Sequence, residues 1–220
     1  SPRALVCVRS VVPRPGMVTA VIPRRSSPAM SKVTDLLLNT LSKAEAGDAS
    51  TVEANLELLK TRHLECAREL LPAGVQDGAV TGVEELVAEF ARIAHGMLLL
   101  GERPPKSVDQ AIAIGERLSS FLIAAYMNSQ GIAAEAVNAA RVIATDAVFG
   151  NATPIMEATR ARASQVIGPL LNRKVLPVVT GFNASTMDGQ PTTLGRGGSD
   201  FSAAILAAAL DAGELWIWTD

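Results

Sequence analysis

"KVLPVVTGFNASTMDGQPTTLGRGGSDFSAAILAAALDAGELWIW", residues 174–218, holds the pattern that decides the fold. Its first nine residues are a short apolar, β-branched run, which predicts a buried strand over 174–182. A polar, glycine-rich stretch follows, and then "SDFSAAILAAALDA" (199–212), a helix apolar on nearly every side. "ELWIW" (214–218) predicts a second buried strand. Strand, loop, helix and strand in that order form a parallel crossover, so the fold class is α/β. Both strands are expected in one parallel sheet, bridged by the helix, and Ser199 stands where an N-cap is wanted.

The stretch "TTLGRGGSD" (192–200) puts three glycines, an arginine, a serine and an aspartate just ahead of that helix. Such a run serves either flexibility or close approach of backbone N–H groups to an anion. Its place before a helix N-terminus, outside the carboxyl end of a strand, favours the anion site. The spacing is neither that of a Walker loop nor that of a dinucleotide fingerprint, so it names no guest. Arg196, set between glycines, offers the bidentate fork that suits a carboxylate.

Upstream, helical periodicity dominates. "TDLLLNTLSKAEAGD" (34–48) opens on a capping residue, and residues 51–71 place Val52, Leu56, Leu59, His63 and Cys66 or Ala67 on one face. Residues 82–100 repeat the pattern, and residues 107–131 give a longer, more apolar helix. A short strand is expected around "AEAVNAARVI" (134–143), then a helix over "TPIMEATRARASQVIGPLL" (153–171) with proline near its start. His63 and His95 fall on helical faces as core or boundary residues. Trp216 and Trp218 alternate along a strand, which packing explains better than stacking on a base.

At 220 residues the chain can bury a sizeable core in one large domain or two small ones. Charged residues are 19% and the net charge is −2, which gives no electrostatic case for a nucleic-acid or membrane partner. Cys7 and Cys66 have no spacing that indicates a disulfide framework or a zinc site. No metal-ligand set is assigned. With no apolar run reaching the ~18 residues of a membrane helix, a cytoplasmic location is expected.

Residues 1–28 differ from the rest. They hold five of the 12 prolines and five arginines, and no acidic residue precedes Asp35. A transit peptide and a disordered basic tail both fit that composition. Irregular structure is expected, because Pro13, Pro15 and Pro23 each remove a strand donor.

The long string from "PVVTGF" to "TTLGRGGSD" resembles the central signature of aspartate kinases, members of the amino-acid kinase family. "AMSKVTDLLL" (29–38), "IGERLSS" (114–120) and "ATDAVFGNA" (144–152) resemble the same enzymes in the same order. The resemblance implies a three-layer αβα sandwich, over a partial catalytic domain at 29–220. It also implies transfer of the γ-phosphoryl of ATP, with Mg2+, to the side-chain carboxylate of L-aspartate, a step towards lysine, threonine and methionine. By position, Glu116 would face the substrate ammonium and Arg196 its α-carboxylate. Ser199 and Asp200 would complete the pocket, Asp200 with a catalytic part among the phosphates, and Thr219 and Asp220 would begin the nucleotide site. Phe149 and Gly150 match a pocket-lining stretch. A homo-oligomer is implied for the intact enzyme. Taken alone, Glu116 is an ordinary polar residue of an amphipathic helix.

Two departures stand out. No Lys-Phe-Gly-Gly motif, whose lysine meets the phosphates in the family, occurs in residues 1–30, and Pro28 stands at an expected serine. This predicts a reading-frame change upstream of Ala29, checked by translating the gene in its other two frames, and an inactive catalytic fragment. The alternatives are a non-catalytic remnant of the same fold and a kinase for another acidic amino acid.

Overall fold

The structure is a computed structural model that describes residues 8–12, 18–21 and 32–217. In chain order the elements are β1 (Val8–Val12), β2 (Val18–Val21), α1 (Val33–Glu45), α2 (Ala49–Leu70), α3 (Ala73–Leu100) and α4 (Pro105–Ser129). Then come β3 (Ala134–Val137), a 3-10 turn at Ala139–Arg141, β4 (Ala144–Thr145), α5 (Met156–Val166) and α6 (Gly168–Asn172). The chain continues through β5 (Leu176–Val179), β6 (Asn183–Thr186), β7 (Pro191–Thr193), α7 (Gly198–Ala209) and β8 (Glu214–Leu215).

Five strands form the main sheet in the order β3-β5-β2-β1-β8. β5 runs parallel to both β3 and β2, while β1 is antiparallel to β2 and to β8. β5 and β8 therefore point the same way in one sheet, as expected for a crossover, with β2 and β1 between them. Adjacent residues of β5 serve opposite faces, the period of two at work. Val178 packs with Ile123, Ala124 and Ala134 beneath α4, whereas Val179 joins Val137, Ile167, Leu170 and Leu206 beneath α5, α6 and α7. Helices, sheet and helices make the three-layer sandwich.

α1 to α4 bury a second core, in which Leu37, Leu41, Leu59, Phe90 and Leu118 are all essentially inaccessible. Asp48 caps α2, accepting the Thr51 N–H at 3.1 Å and the Thr51 hydroxyl at 2.8 Å. Gly101, left-handed at φ 65°, ends α3. Phe90 is the largest fully buried side chain of the bundle. Phe90→Ala is expected to cost about 3–5 kcal/mol, read as a lower urea midpoint. Among the described residues no helix is long and apolar enough to cross a membrane.

Several expectations are corrected. The lead segment is not irregular throughout: β1 and β2 lie inside the sheet, β2 pairing centrally with β5. Pro13, Pro15 and Pro23 lie outside the described residues, and the β-branched runs "VRSVV" and "VTAV" suit the pairing. The helix expected from residue 82 begins nine residues earlier, at Ala73, because the glycines at 74, 78 and 82 weaken a helix without breaking it. Residues 153–171 form two helices, divided where Gly168 and Pro169 interrupt the hydrogen-bond ladder. Of the strand expected around 134–143 only β3 forms, a 3-10 turn follows at Ala139–Arg141, and β4 begins beyond that run in a smaller sheet. β8 has only two residues, and Trp216 and Ile217 beyond it are 53% and 43% exposed. An edge strand needs one paired side only, so apolar content alone overstates its burial.

The stretch read as one loop supplies two strands of a second sheet, β4-β6-β7, with β6 and β7 antiparallel across residues 187–190. Gly189 has φ 83°, and the Asp188-Gly189 pair is the turn signal that marks this hairpin. The hairpin delivers the glycine-rich run to the sheet's end.

Candidate functional site

A cleft of about 470 Å³ opens where α1, α4, the 146–153 loop, the 181–183 turn and the 193–199 run converge. α4 supplies Asp109, Ile112 and Glu116; the glycine-rich run supplies Gly195, Arg196, Gly197, Gly198 and Ser199; α1 brings Thr34 and Asp35.

The glycines answer to space as much as to torsion. Gly195 has φ 74°, and a β-carbon there would sit 2.6 Å from Asn151 Oδ1 and 3.1 Å from the Gly150 carbonyl. Gly197 is the N-cap of α7 in the left-handed region, at φ 75°. Gly198, already helical, lies so close to Phe182 and Leu194 that a β-carbon would meet theirs at 2.8 and 3.0 Å. The run therefore lets α7 begin hard against the 181–183 turn. Ser199 does not cap: it is the second residue of α7, and no side chain caps the helix start. A left-handed N-cap turns the chain without a side-chain acceptor, and the Gly198 N–H donates instead to the Gly195 carbonyl at 3.0 Å.

Gly181 shows why that closeness matters. A methyl group on it would come 2.7 Å from both Glu116 Oε2 and Ser199 Oγ, so the two side chains meet over bare backbone. The Gly181 N–H donates to Glu116 Oε2 at 2.8 Å. Burial pushes the Glu116 carboxyl up to about 7, and the Gly181 hydrogen bond offsets only part of that. Phe182 next to it takes φ 32°, an uncommon value for a residue with a side chain. Asn183 follows, its amide donating to the Ala113 carbonyl of α4 at 3.2 Å. The 181–183 turn is thus tied to α4 at two points, Glu116 through Gly181 and Ala113 through Asn183.

Asp109 is a site residue that the sequence pattern does not announce. It is 1% exposed and accepts three hydrogen bonds: from the Gly150 N–H at 2.8 Å, the Thr193 N–H at 3.0 Å and the Thr193 hydroxyl at 2.9 Å. Desolvation raises its carboxyl above the ordinary range despite those donors. The signal available was its helical position, seven residues before Glu116 and so on the same face.

Of the expected site residues, Glu116, Arg196 and Ser199 line this one cleft, as does Gly150. Asp200, in the first turn of α7, is half-buried beside the cleft and not part of its lining. Phe149 is also outside the lining. Thr219 and Asp220 lie outside the described residues.

The sequence model of the amino acid kinase family matches residues 27–220. The chain belongs to the amino acid kinase family. Within it, the chain is 31% identical to the aspartokinase of Schizosaccharomyces pombe over 92% of its own length and 39% of that protein's. It is 34% identical to the chloroplastic aspartokinase 3 of Arabidopsis thaliana, over 87% of this chain and 34% of the relative. Among solved structures, it matches E. coli aspartokinase III in complex with lysine and aspartate, with a TM-score of 0.78 and 28% identity, covering 86% of this chain and 41% of that one. The same enzyme with aspartate and ADP gives a TM-score of 0.75 and 30% identity, covering 86% and 40%. The chain spans about a third to two fifths of the length of these relatives. The αβα sandwich is the amino acid kinase fold these kinases share.

Proposed function

We propose that the cleft binds L-aspartate and that the chain serves an aspartate kinase, which transfers the γ-phosphoryl of ATP to the side-chain carboxylate to give 4-phospho-L-aspartate. One observation carries this: Glu116 and Arg196, one carboxylate and one guanidinium, line the same cleft, Glu116 against the Gly181–Ser199 contact. An α-amino acid asks for that pairing. Glu116 takes the ammonium and Arg196 the α-carboxylate, which leaves the side-chain carboxylate directed along the α7 N-terminus, where backbone N–H groups favour negative charge. Two crystal structures of one relative, E. coli aspartokinase III, hold aspartate, one of them with ADP.

In the proposed reaction a carboxylate oxygen attacks the γ-phosphorus and ADP departs. Such transfer depends on positioning and on charge stabilisation. Ser199 and Asp200 supply polar groups beside the transferring phosphoryl, and Thr219 with Asp220 opens the nucleotide site. Mg2+ is assigned to the nucleotide phosphates with which it enters. Assembly as a homo-oligomer, a cytoplasmic location and a place on the way to lysine, threonine and methionine belong to the same proposal.

Calorimetry with L-aspartate, with L-glutamate and N-acetylglutamate as controls, tests the binding step. Saturable binding of L-aspartate alone is expected; preference for either control would assign the site to another acidic substrate, and silence with all three would remove the catalytic lineage. Arg196→Ala is expected to weaken L-aspartate about 10- to 30-fold. Arg196 is solvent-exposed, which places its contribution near the lower end of a charge pair. Unchanged affinity in that variant would clear Arg196 of the role. Turnover by the 220 residues alone is expected to be slow, since no Lys-Phe-Gly-Gly occurs in them and losing one charge-stabilising donor costs ~10²–10³. Trapping the acyl phosphate with hydroxylamine measures it; turnover near that of an intact aspartate kinase would show the motif to be dispensable.

A further inference from the structure

We propose that Asp109 is the positioning residue for Arg196, fixing the carboxylate-binding wall of the cleft at a set distance from Glu116. This rests on the aspartate reading of the same cleft. Asp109 and Glu116 stand seven residues apart on α4, two turns along one face, which is about 10 Å of helix rise. Each grips a different wall. Glu116 takes the Gly181 N–H, on the turn that meets Ser199. Asp109 takes the Gly150 N–H with one oxygen and shares that oxygen with the Thr193 N–H, while its other oxygen receives the Thr193 hydroxyl.

The second wall is otherwise two separate strips of chain. Ala152 N–H donates to the Thr193 carbonyl at 2.9 Å, which zips the 146–153 loop to β7. Gly195 then fits into the notch beside the Gly150 carbonyl and Asn151, with no room for a β-carbon. Arg196 is the next residue. Asp109 therefore holds both sides of the notch that aims Arg196, and it does so from the helix that carries Glu116. A carboxylate buried among neutral donors is costly to keep, a cost its hydrogen bonds must offset. What the carboxylate adds is three acceptor sites on two oxygens, enough to lock three donors from two segments.

Asparagine can keep the geometry. With its oxygen towards the two N–H groups and its NH₂ towards the Thr193 hydroxyl, which can turn to accept, all three hydrogen bonds survive. Alanine keeps none. Three measurements on the 220-residue chain separate the outcomes. The first is amide hydrogen exchange at Gly150 and Thr193, which needs no ligand. Faster exchange at both is expected in Asp109→Ala and near-parental exchange in Asp109→Asn. Parental exchange in the alanine variant would overturn the proposal. The second is L-aspartate affinity. A loss of roughly 10- to 100-fold is expected for Asp109→Ala, the effect of misplacing a binding group by about 1 Å, with Asp109→Asn close to the parent. A folded Asp109→Asn variant as impaired as Asp109→Ala would show that charge, not placement, matters, and would also overturn it. The third is the Asp109→Ala, Arg196→Ala cycle. If Asp109 acts through Arg196, its removal costs little once Arg196 is gone; full additivity would show an independent, merely structural effect. Should Asp109→Ala fail to fold, Thr193→Val removes one of the three bonds and is expected to shift exchange and affinity in the same direction by less. No change in either would sink the idea. If the parent chain itself does not bind L-aspartate, the functional reading fails, while the exchange data still decide the wall.

Discussion

Glu116→Gln is expected to weaken L-aspartate by roughly 30-fold or more while leaving the fold at least as stable as the parent above pH 7. The two effects come from one cause. The carboxylate is half-buried at the cleft, with a single backbone donor from Gly181 and burial opposing its charge. A substrate ammonium would supply the missing countercharge, and losing one member of such a pair costs about 2–5 kcal/mol. The amide of glutamine still accepts the Gly181 N–H, so the turn stays closed, but it offers no charge. Calorimetry at pH 8 reads the affinity and a thermal melt reads the stability. Parental affinity in the variant would remove Glu116 from the site.

The same displacement fixes a pH dependence and its sign. Below about 7 the Glu116 carboxyl is protonated in the folded chain, so L-aspartate affinity is expected to fall roughly tenfold per unit as pH drops under that value. Above it the affinity should be flat, and the Gln variant should be flat throughout. For stability, the folded pKa of about 7 exceeds the ordinary 4.5 of the unfolded chain. In the window between them the native state binds the extra proton. The Glu116 contribution is therefore fully present below about 4.5 and lost as pH rises through 7, a change on the order of 3 kcal/mol. Glu116→Gln should remove that slope from the urea-unfolding free energy. A parent whose stability rises over the same window would contradict the assignment of a raised carboxyl.

How far such a site can be read without coordinates depends on which residues report themselves locally. Leu176 to Val179 and the alanine-rich α7 announce their elements, because periodicity and β-branching act within a few residues. The main helices of the bundle follow from the same rule. Arg196 is legible because its glycine neighbours are unusual. Glu116 is not: on periodicity it is a polar residue on a helix, and only the resemblance picked it out. Its partner is Gly181, 65 residues away, a contact that no local pattern encodes. Asp109 is harder still, since its donors come from residues 41 and 84 positions downstream. The lead segment failed in the opposite way. Its prolines dominated the composition, while the pairing of β2 with β5 depended on the short runs between them. Ser199 shows a third case: a good capping residue lost that place because Gly197 could turn left-handed two residues earlier.

Gly198→Val carries the other large effect, and it should reach the ligand through packing. The residue is buried at the first position of α7, where even a β-carbon would lie 2.8 Å from that of Phe182 and 3.0 Å from that of Leu194. Those atoms are fixed to backbone, so neither can swing aside as the end of a long side chain would. Valine adds two further carbons to the same gap. Overpacking of this kind costs about 1–3 kcal/mol, and the strain can be relieved only by moving α7 away from the 181–183 turn. That movement opens the Gly181 contact with Ser199 and carries Arg196 with it. A shift near 1 Å can cost about 10²-fold in a positioned site, so L-aspartate affinity is expected to drop by that order, well beyond what the stability loss implies for a chain still folded at assay temperature. Gly189→Val is the control. It sits at φ 83° with no atom within 4 Å of its would-be β-carbon, away from the cleft lining. It should lose about 1–2 kcal/mol of stability from its backbone torsion alone and bind L-aspartate as the parent does. Equal loss of affinity in both variants would mean that general destabilisation, not the seating of α7 on Phe182, governs the site.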